Sequence, residues 1–349
     1  ILHQMLCIAT PAQTFVIHPK TFQVYYTSQP ETPQANACFC PSGFVSIKQR
    51  KQDVHLFSFQ QQSERFKSTF TSQFSACHMH EQYTFLGSSS GQVFVFNQHQ
   101  LVKILNLHSR QINSIDFADD QILTASDDGF LKVTSLAGYV LAQSSAHGLQ
   151  VMKAAFSAGK IASIGKDNSL KTFVLSEGQK GLQLQLQQNI QLINPTSLSG
   201  DLVADQHVVY RFSLQTSQPT LTQVYKTDAL IQRLEKSPVC NDVFIGCQDR
   251  LIVLKAGGGV VELTGYQNIL SMKVFYDRFS LKEFMIQKAL QRDLDPSLVL
   301  NSQKFILNKK VQVGVCKKYV RQLKVEQQGR DFTDLCKELE ELAKLERGV

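Results

Sequence analysis

The side chains best suited to proton chemistry in this chain are two histidine–aspartate combinations, His108 with Asp128 and His147 with Asp167. An imidazole beside a carboxylate can act as a general base, and a serine held next to it would complete a hydrolytic triad. Nothing in the sequence orients such a serine. A second candidate set is thiol and imidazole: Cys38 and Cys40, then Cys77, His78 and His80. On strands, Cys38 and Cys40 point to one face while Cys77 and His78 point to opposite faces. These groups therefore do not converge as metal ligands, and buried cysteines are common core filler. The run Gly257-Gly258-Gly259 lacks the following Gly-Lys-Ser/Thr of a phosphate-binding loop. The sequence assigns no catalytic residue, no cofactor and no metal, and the expected protein is not an enzyme.

A third feature is a run of cations, Lys304, Lys309, Lys310, Lys317, Lys318, Arg321 and Lys324, with no acid between them. Two readings stay open. The run is a solvated face complemented by the acidic segment that follows, or it contacts RNA phosphates through Lys309, Lys310, Lys317, Lys318, Arg321 and Lys324. No sequence-reading RNA module is present, so any such contact reads backbone and shape.

The elements that carry these residues follow from composition and periodicity. The chain has 349 residues, of which 43% are hydrophobic and only 19% charged, with a net charge of +7 and no tryptophan. Eight cysteines are too few for a disulfide-built secreted scaffold. No apolar run reaches the ~18–20 residues that a bilayer span needs. The first residues lack a basic segment ahead of an apolar one, so no signal peptide is expected. A reducing compartment, cytosol or nucleus, is the expected setting.

Short alternating strands recur at a spacing of about 40 residues, a range typical of blade repeats: ANACFCPSG, FSACHMHE, INSIDFADD and VMKAAFSAG. The clearest unit divides into INSIDF, QILTAS, the turn DDG, FLKVTSL and YVLAQSS, a four-stranded antiparallel meander. DVFIGCQDRLIVLK has the same core, DLVADQHVVYRFSL is a weaker copy, and FVIHPKTFQVYYTS marks a reduced unit near the start. Residues 188–226 are loosely patterned, where a blade lost or merged would sit. Such units leave one face uncovered alone and stack into a ring.

The units resemble WD repeats, although the tryptophan–aspartate signature is absent. Phe57, Phe96, Thr134, Phe173 and Phe212 stand where the third-strand tryptophan belongs, so the Thr134 blade packs differently. The resemblance implies structural roles for His108 and His147 ahead of the inner strands, and for Asp128 and Asp167 in the turns. A buried imidazole needs such a partner. It also implies seven blades, the commonest closure of this repeat.

From Ser271 the pattern changes. In YDRFSLKEFMIQKALQRDLDP, Phe279, Phe284, Ile286, Leu290 and Leu294 gather broadly on one side of a helix, which Asp295-Pro296 ends. Further helices fit SQKFILNKKVQV, VCKKYVRQLKVE and DFTDLCKELEELAKLE. A tail packed on its own ring, or a small domain completed by partner helices, would each cover these stripes.

This segment is similar to the start of the C-terminal domain in the fifteenth "U three protein" family. That family comprises WD-repeat subunits of the early-acting subcomplex of the small-subunit processome. The residues that carry the likeness are Tyr276, Asp277, Arg278, Leu281, Phe284, Ile286, Lys288, Ala289, Leu290, Arg292, Leu294, Asp295 and Pro296. Gly329, Arg330 and Asp331 look like the same domain's Gly-Arg-Asp turn. SERFKSTFTSQFSACHMHEQYTFLGSSSGQVFVFN and INSIDFADDQILTASDDGFLKV resemble the family's second and third blades. Where the family carries a long basic linker, the sequence places only AGGGVVELTG, and the helical domain is read as shortened.

The expected architecture is an all-β WD-repeat propeller of seven blades over residues 1–267, followed by a small α-helical assembly domain over residues 268–349. The resemblance implies a nucleolar scaffold that binds sister WD-repeat subunits through Phe279, Leu281, Phe284, Ile286, Leu290 and Leu294. It also implies binding to the 5′ external transcribed spacer of pre-ribosomal RNA during 18S rRNA maturation, and an indirect link to the U-three small nucleolar ribonucleoprotein. No membrane partner is expected. The alternative is a WD-repeat scaffold of another complex, such as a large-subunit biogenesis factor or a ubiquitin-ligase receptor.

Overall fold

The computed structural model describes residues 4–276, apart from positions 20, 29–32, 41–42, 49–51, 59–62, 81, 99, 179–180, 215–219 and 238–240. The expected helices, with Phe279 to Leu294 and the basic run Lys304 to Lys324, lie outside the described residues. The chain divides into two compact units. One is the ring, Leu6–Ser237 and Asp242–Val274; the other is Ile1–Met5, Pro238–Asn241 and Phe275–Val349.

Among the described residues, 28 strands form seven four-stranded antiparallel sheets. Blade 1 holds β1 (Gln4–Ala9), β2 (Thr14–Ile17) and β3 (Val24–Thr27). Blade 2 is β4 (Gln34–Cys40), β5 (Gly43–Lys48), β6 (Asp53–Ser58) and β7 (Ser63–Thr69). Blade 3 is β8 (Phe74–His80), β9 (Tyr83–Ser88), β10 (Gln92–Asn97) and β11 (Gln100–Asn106). Blade 4 is β12 (Ile112–Ala118), β13 (Gln121–Ser126), β14 (Phe130–Ser135) and β15 (Val140–Ser145). Blade 5 is β16 (Val151–Ser157), β17 (Lys160–Gly165), β18 (Ser169–Gly178) and β19 (Gly181–Gln191). Blade 6 is β20 (Pro195–Ser199), β21 (Leu202–Asp205), β22 (Val208–Phe212) and β23 (Leu221–Lys226). Blade 7 is β24 (Ile231–Lys236), β25 (Val243–Cys247), β26 (Arg250–Leu254) and β27 (Val260–Thr264).

The last strand, β28 (Ser271–Tyr276), pairs with β1 and supplies the inner strand of blade 1. The two ends of the ring thus share one sheet, and closure needs both. The molecule is a seven-bladed β-propeller. Two sequence expectations shift. The loosely patterned stretch 188–226 contains a complete blade 6, whose short strands Leu202–Asp205 and Val208–Phe212 carry few alternations to count. The segment AGGGVVELTG is not a linker: it contains the turn before β27 and β27 itself. The ring therefore continues past residue 267 to its closing strand.

Each blade packs between two neighbours and buries its faces against them, which is why no unit stands alone. Between blades 2 and 3, Cys38, Cys40, Val45 and Leu56 pack with Phe74, Leu86 and Phe94. Blades 4 and 5 meet through Leu123, Val133, Val151, Ile161 and Phe173, and blades 7 and 1 through Phe244, Leu251, Leu6 and Ile17. Phe96, Phe173 and Phe212 fill the absent tryptophan's place as buried rings, and Phe57 stacks on Phe44 at 5.2 Å beside Tyr26 of blade 1. Thr134 is fully buried, and its Oγ1 has no hydrogen-bond partner among the described residues.

Candidate functional site

The first cluster is the pair of histidine networks. His108 Nδ1 lies 2.9 Å from Asp128 Oδ2, and its Nε2 lies 2.8 Å from Thr124 Oγ1. His147 repeats this with Asp167 Oδ1 at 2.8 Å and Ser163 Oγ at 2.8 Å. Burial pulls both imidazoles below their ordinary value, outweighing the carboxylates' pull upward. The neutral ring then donates from Nδ1 to the carboxylate and accepts at Nε2 from the hydroxyl, the assignment the partners favour.

The aspartates also tie the turns. Asp128 accepts N–H bonds from Phe130 at 3.0 Å and Ser109 at 3.1 Å. Burial alone would raise its carboxyl, but His108 and these two donors hold it below its ordinary value. At Asp167, burial is likewise outweighed by Ser169, His147 and Lys171, which bring the carboxyl down to about 2. The geometry demands small or left-handed residues nearby: a Cβ on Gly165 would sit 2.4 Å from His147 Nδ1. Both His side chains are fully buried and their ring nitrogens are occupied, so each network is a structural lock.

The second site is the central channel, a cavity of about 730 Å³ lined by residues of all seven inner strands. Six of these strands carry a bulge after their first residue pair, between Gln34/Asn36, Phe74/Ala76, Ile112/Ser114, Val151/Lys153, Pro195/Ser197 and Ile231/Arg233. A bulge re-aims the side chains that follow it. It places Asn36, Ala76, Ser114, Lys153, Ser197 and Arg233 at equivalent positions. Inner strands have an open edge toward the channel, and their N–H groups need partners. Side chains of the preceding blade supply several. Ser197 Oγ accepts from Leu234 N at 3.1 Å, Ser199 Oγ from Lys236 N at 3.1 Å, and Asp116 Oδ2 from Phe156 N at 2.8 Å.

Lys153 and Arg233 break this pattern, since a cation stands where blades 4 and 6 place a serine. Arg233 donates to the carbonyls of Leu270 and Gln232. Lys273 Nζ lies 3.3 Å from Glu235 Oε1, which raises the basicity of the lysine. Burial, then Arg233, bring Lys153 down to about 8. Burial also pulls His78 down to about 4, although Asp116 stands 3.7 Å away.

Of the residues singled out from sequence, His108 pairs with Asp128 and His147 with Asp167. Cys38, Cys40 and Cys77 pack in the core between blades 2 and 3, and Cys38 and Cys77 line the channel together with His78. Among the described residues no three His, Cys, Asp or Glu side chains are grouped to hold a metal, and no helix is long and apolar enough to cross a membrane. Sequence reading missed Thr124, Ser163 and the channel cluster. The first two stand four residues ahead of Asp128 and Asp167 alike, a repeated spacing that would have revealed them.

No family model and no curated sequence relative matches the chain. Solved structures do. A computationally designed protein, Ika8, superposes with a TM-score of 0.60 at 18% identity, covering 78% of this chain and 93% of its own. The β-propeller domain of Myceliophteria thermophila Cps50 (Swd1) gives 0.58 at 12% identity, with 74% and 92% covered. A chain of a mitotic checkpoint complex gives 0.60 at 12% identity, with 75% and 84% covered. At these identities the likeness speaks for the fold.

Proposed function

We propose that this protein is a non-enzymatic scaffold subunit of the nucleolar small-subunit processome, in the fifteenth "U three protein" family. In this reading it joins sister WD-repeat subunits through the segment after the ring and contacts the 5′ external transcribed spacer of pre-ribosomal RNA. It acts in early 18S rRNA maturation and meets the U-three ribonucleoprotein indirectly. One observation carries the reading. Strand β28 closes the ring and ends at Tyr276, the residue at which the likeness to that family's C-terminal domain begins. A ring of this kind offers large faces and rims for partners, and its histidine–aspartate pairs are consumed in holding turns.

Affinity purification of the tagged full chain, with identification of bound proteins and of crosslinked RNA, tests this. Nucleolar WD-repeat subunits and spacer RNA are the expected partners. Recovery of large-subunit precursors or ubiquitin-ligase components in their place would overturn the reading.

A further inference from the structure

We infer that the central channel is a binding site for a phosphate group, held by Lys153, Arg233 and Lys273 on the inner strands β16, β24 and β28. The proposal goes beyond the scaffold reading and does not depend on it.

Lys153, Lys166, Arg233 and Lys273 line the cavity, together with the carboxylates Glu235, Asp116 and Asp127. All three carboxylates are committed, Asp127 accepting from Asn113 Nδ2 at 2.6 Å. Glu235 accepts from Ser199 Oγ at 3.3 Å and pairs with Lys273, and Asp116 accepts N–H bonds from Phe117 at 3.0 Å and Phe156 at 2.8 Å. His78 stays neutral at neutral pH and adds no charge. Lys153 has no hydrogen-bond or ion-pair partner among the described residues, and Arg233 uses Nε and Nη1 on backbone carbonyls. Its Nη2 is left without one. On β20, between the strands of these two cations, the buried hydroxyl of Thr196 has no partner among the described residues.

Cations gathered in one cavity repel each other, and a half-buried ammonium with no ion pair of its own weakens the fold. At the equivalent bulge position Ser114 and Ser197 do structural work, bonding to Ala154 and Leu234 of the next blade. Lys153 cannot accept such a bond, so it replaces a stabilising device with a destabilising one. A residue that weakens its own fold inside a cavity of this size marks a ligand site. A phosphate, with up to two negative charges and several acceptor oxygens, matches an unpaired ammonium and a half-used guanidinium better than a carboxylate does. The cavity is far larger than the phosphate, leaving room for the body attached to it.

Two sources can present that group, a free small molecule or a phosphorylated side chain inserted by a partner. Calorimetric titration of the full chain at constant ionic strength, with inorganic phosphate, O-phospho-L-serine and acetate, separates them. Saturable binding of the two phosphates is expected, with acetate at least about tenfold weaker. Tighter phosphoserine points to an inserted side chain, and tighter inorganic phosphate to a free ligand. Lys153→Gln and Arg233→Gln should each weaken phosphate binding about tenfold or more. Lys273→Gln, at a side chain 51% exposed, keeps the test available if either inner variant fails to fold. Absence of saturable binding, equal affinity for acetate, or unchanged binding in variants that fold would overturn the proposal.

Discussion

His147 and Asp167 stand 2.8 Å apart, and His108 and Asp128 stand 2.9 Å apart, each pair bridging the loop before an inner strand to the turn between the second and third strands. Each aspartate satisfies a buried imidazole and several turn donors at once. Asp128→Ala and Asp167→Ala should therefore each cost about 1–3 kcal/mol, since the removal leaves buried groups unpaired. Urea unfolding of both variants measures the loss. Wild-type midpoints would show that the networks carry no stability.

Acid should destabilise the ring before its carboxylates titrate. His78 has a folded value of about 4, below the ~6.5 of an unfolded histidine. The unfolded chain thus takes up the proton first. The stability this group contributes is complete above ~6.5 and is lost as pH falls toward its folded value. Asp116, Lys273 and His80 are the titratable groups that face it. His108 and His147, also held low by burial, add to the loss as pH falls below the ordinary histidine value. His78→Asn should flatten the slope between pH 6 and pH 4.5 by close to one proton, about 1.4 kcal/mol per pH unit. Superimposable slopes for variant and wild type would refute this assignment.

The blade pattern was legible because the meander alternates apolar and polar residues and punctuates them with Asp-Gly turns. INSIDF, QILTAS and FLKVTSL map onto β12, β13 and β14 almost residue for residue. Blade 6 was harder, since Leu202–Asp205 is buried throughout and shows no alternation. Ring closure was illegible: nothing local in Ser271–Tyr276 says that its partner lies at residue 4. The channel cluster escaped for a similar reason. Lys153, Arg233 and Lys273 are far apart in sequence, and only the bulge register and the closing strand bring them to one cavity.

Thr134 stands in the tryptophan position with its hydroxyl buried and unpaired. Replacing it by valine keeps the branched shape and removes the desolvated oxygen, so Thr134→Val should stabilise by about 1 kcal/mol. Thr134→Trp, despite restoring the repeat's usual residue, should cost about 1–3 kcal/mol through overpacking. Thermal melts of the two variants should shift in opposite directions. A stabilising tryptophan would mean that the site holds a void.

Closure by β28 makes the ring's stability depend on its last strand. A chain ending at residue 267 lacks the inner strand of blade 1 and leaves Leu6 and Ile8 short of Met272 and Val274, with which they cluster. Its cooperative thermal transition should be lost or sharply lowered, while a chain ending at residue 276 should keep it. Circular dichroism melts of the two truncations decide the matter, and equal melting would show that β28 is dispensable.

The proposed assembly role rests on the segment after the ring, and it separates from the proposed RNA role by charge. On the helix read from the sequence, Phe284, Ile286, Leu290 and Leu294 would form an apolar stripe whose aromatic and aliphatic anchors would dominate a contact with partner helices. Losing one such anchor can cost about 2 kcal/mol of binding or more. Phe284→Asp with Leu290→Asp should release the protein from its complex and leave the melting of the ring unchanged. Charge reversal of Lys317, Lys318 and Arg321 should act on the other term. Each phosphate contact removed should lower both affinity and its dependence on salt, with protein partners retained. Co-purification and RNA crosslinking on both variants read the two roles apart. If the Phe284/Leu290 variant keeps all its partners, the stripe is covered by the protein's own surface. The assembly contact would then have to be sought on the ring.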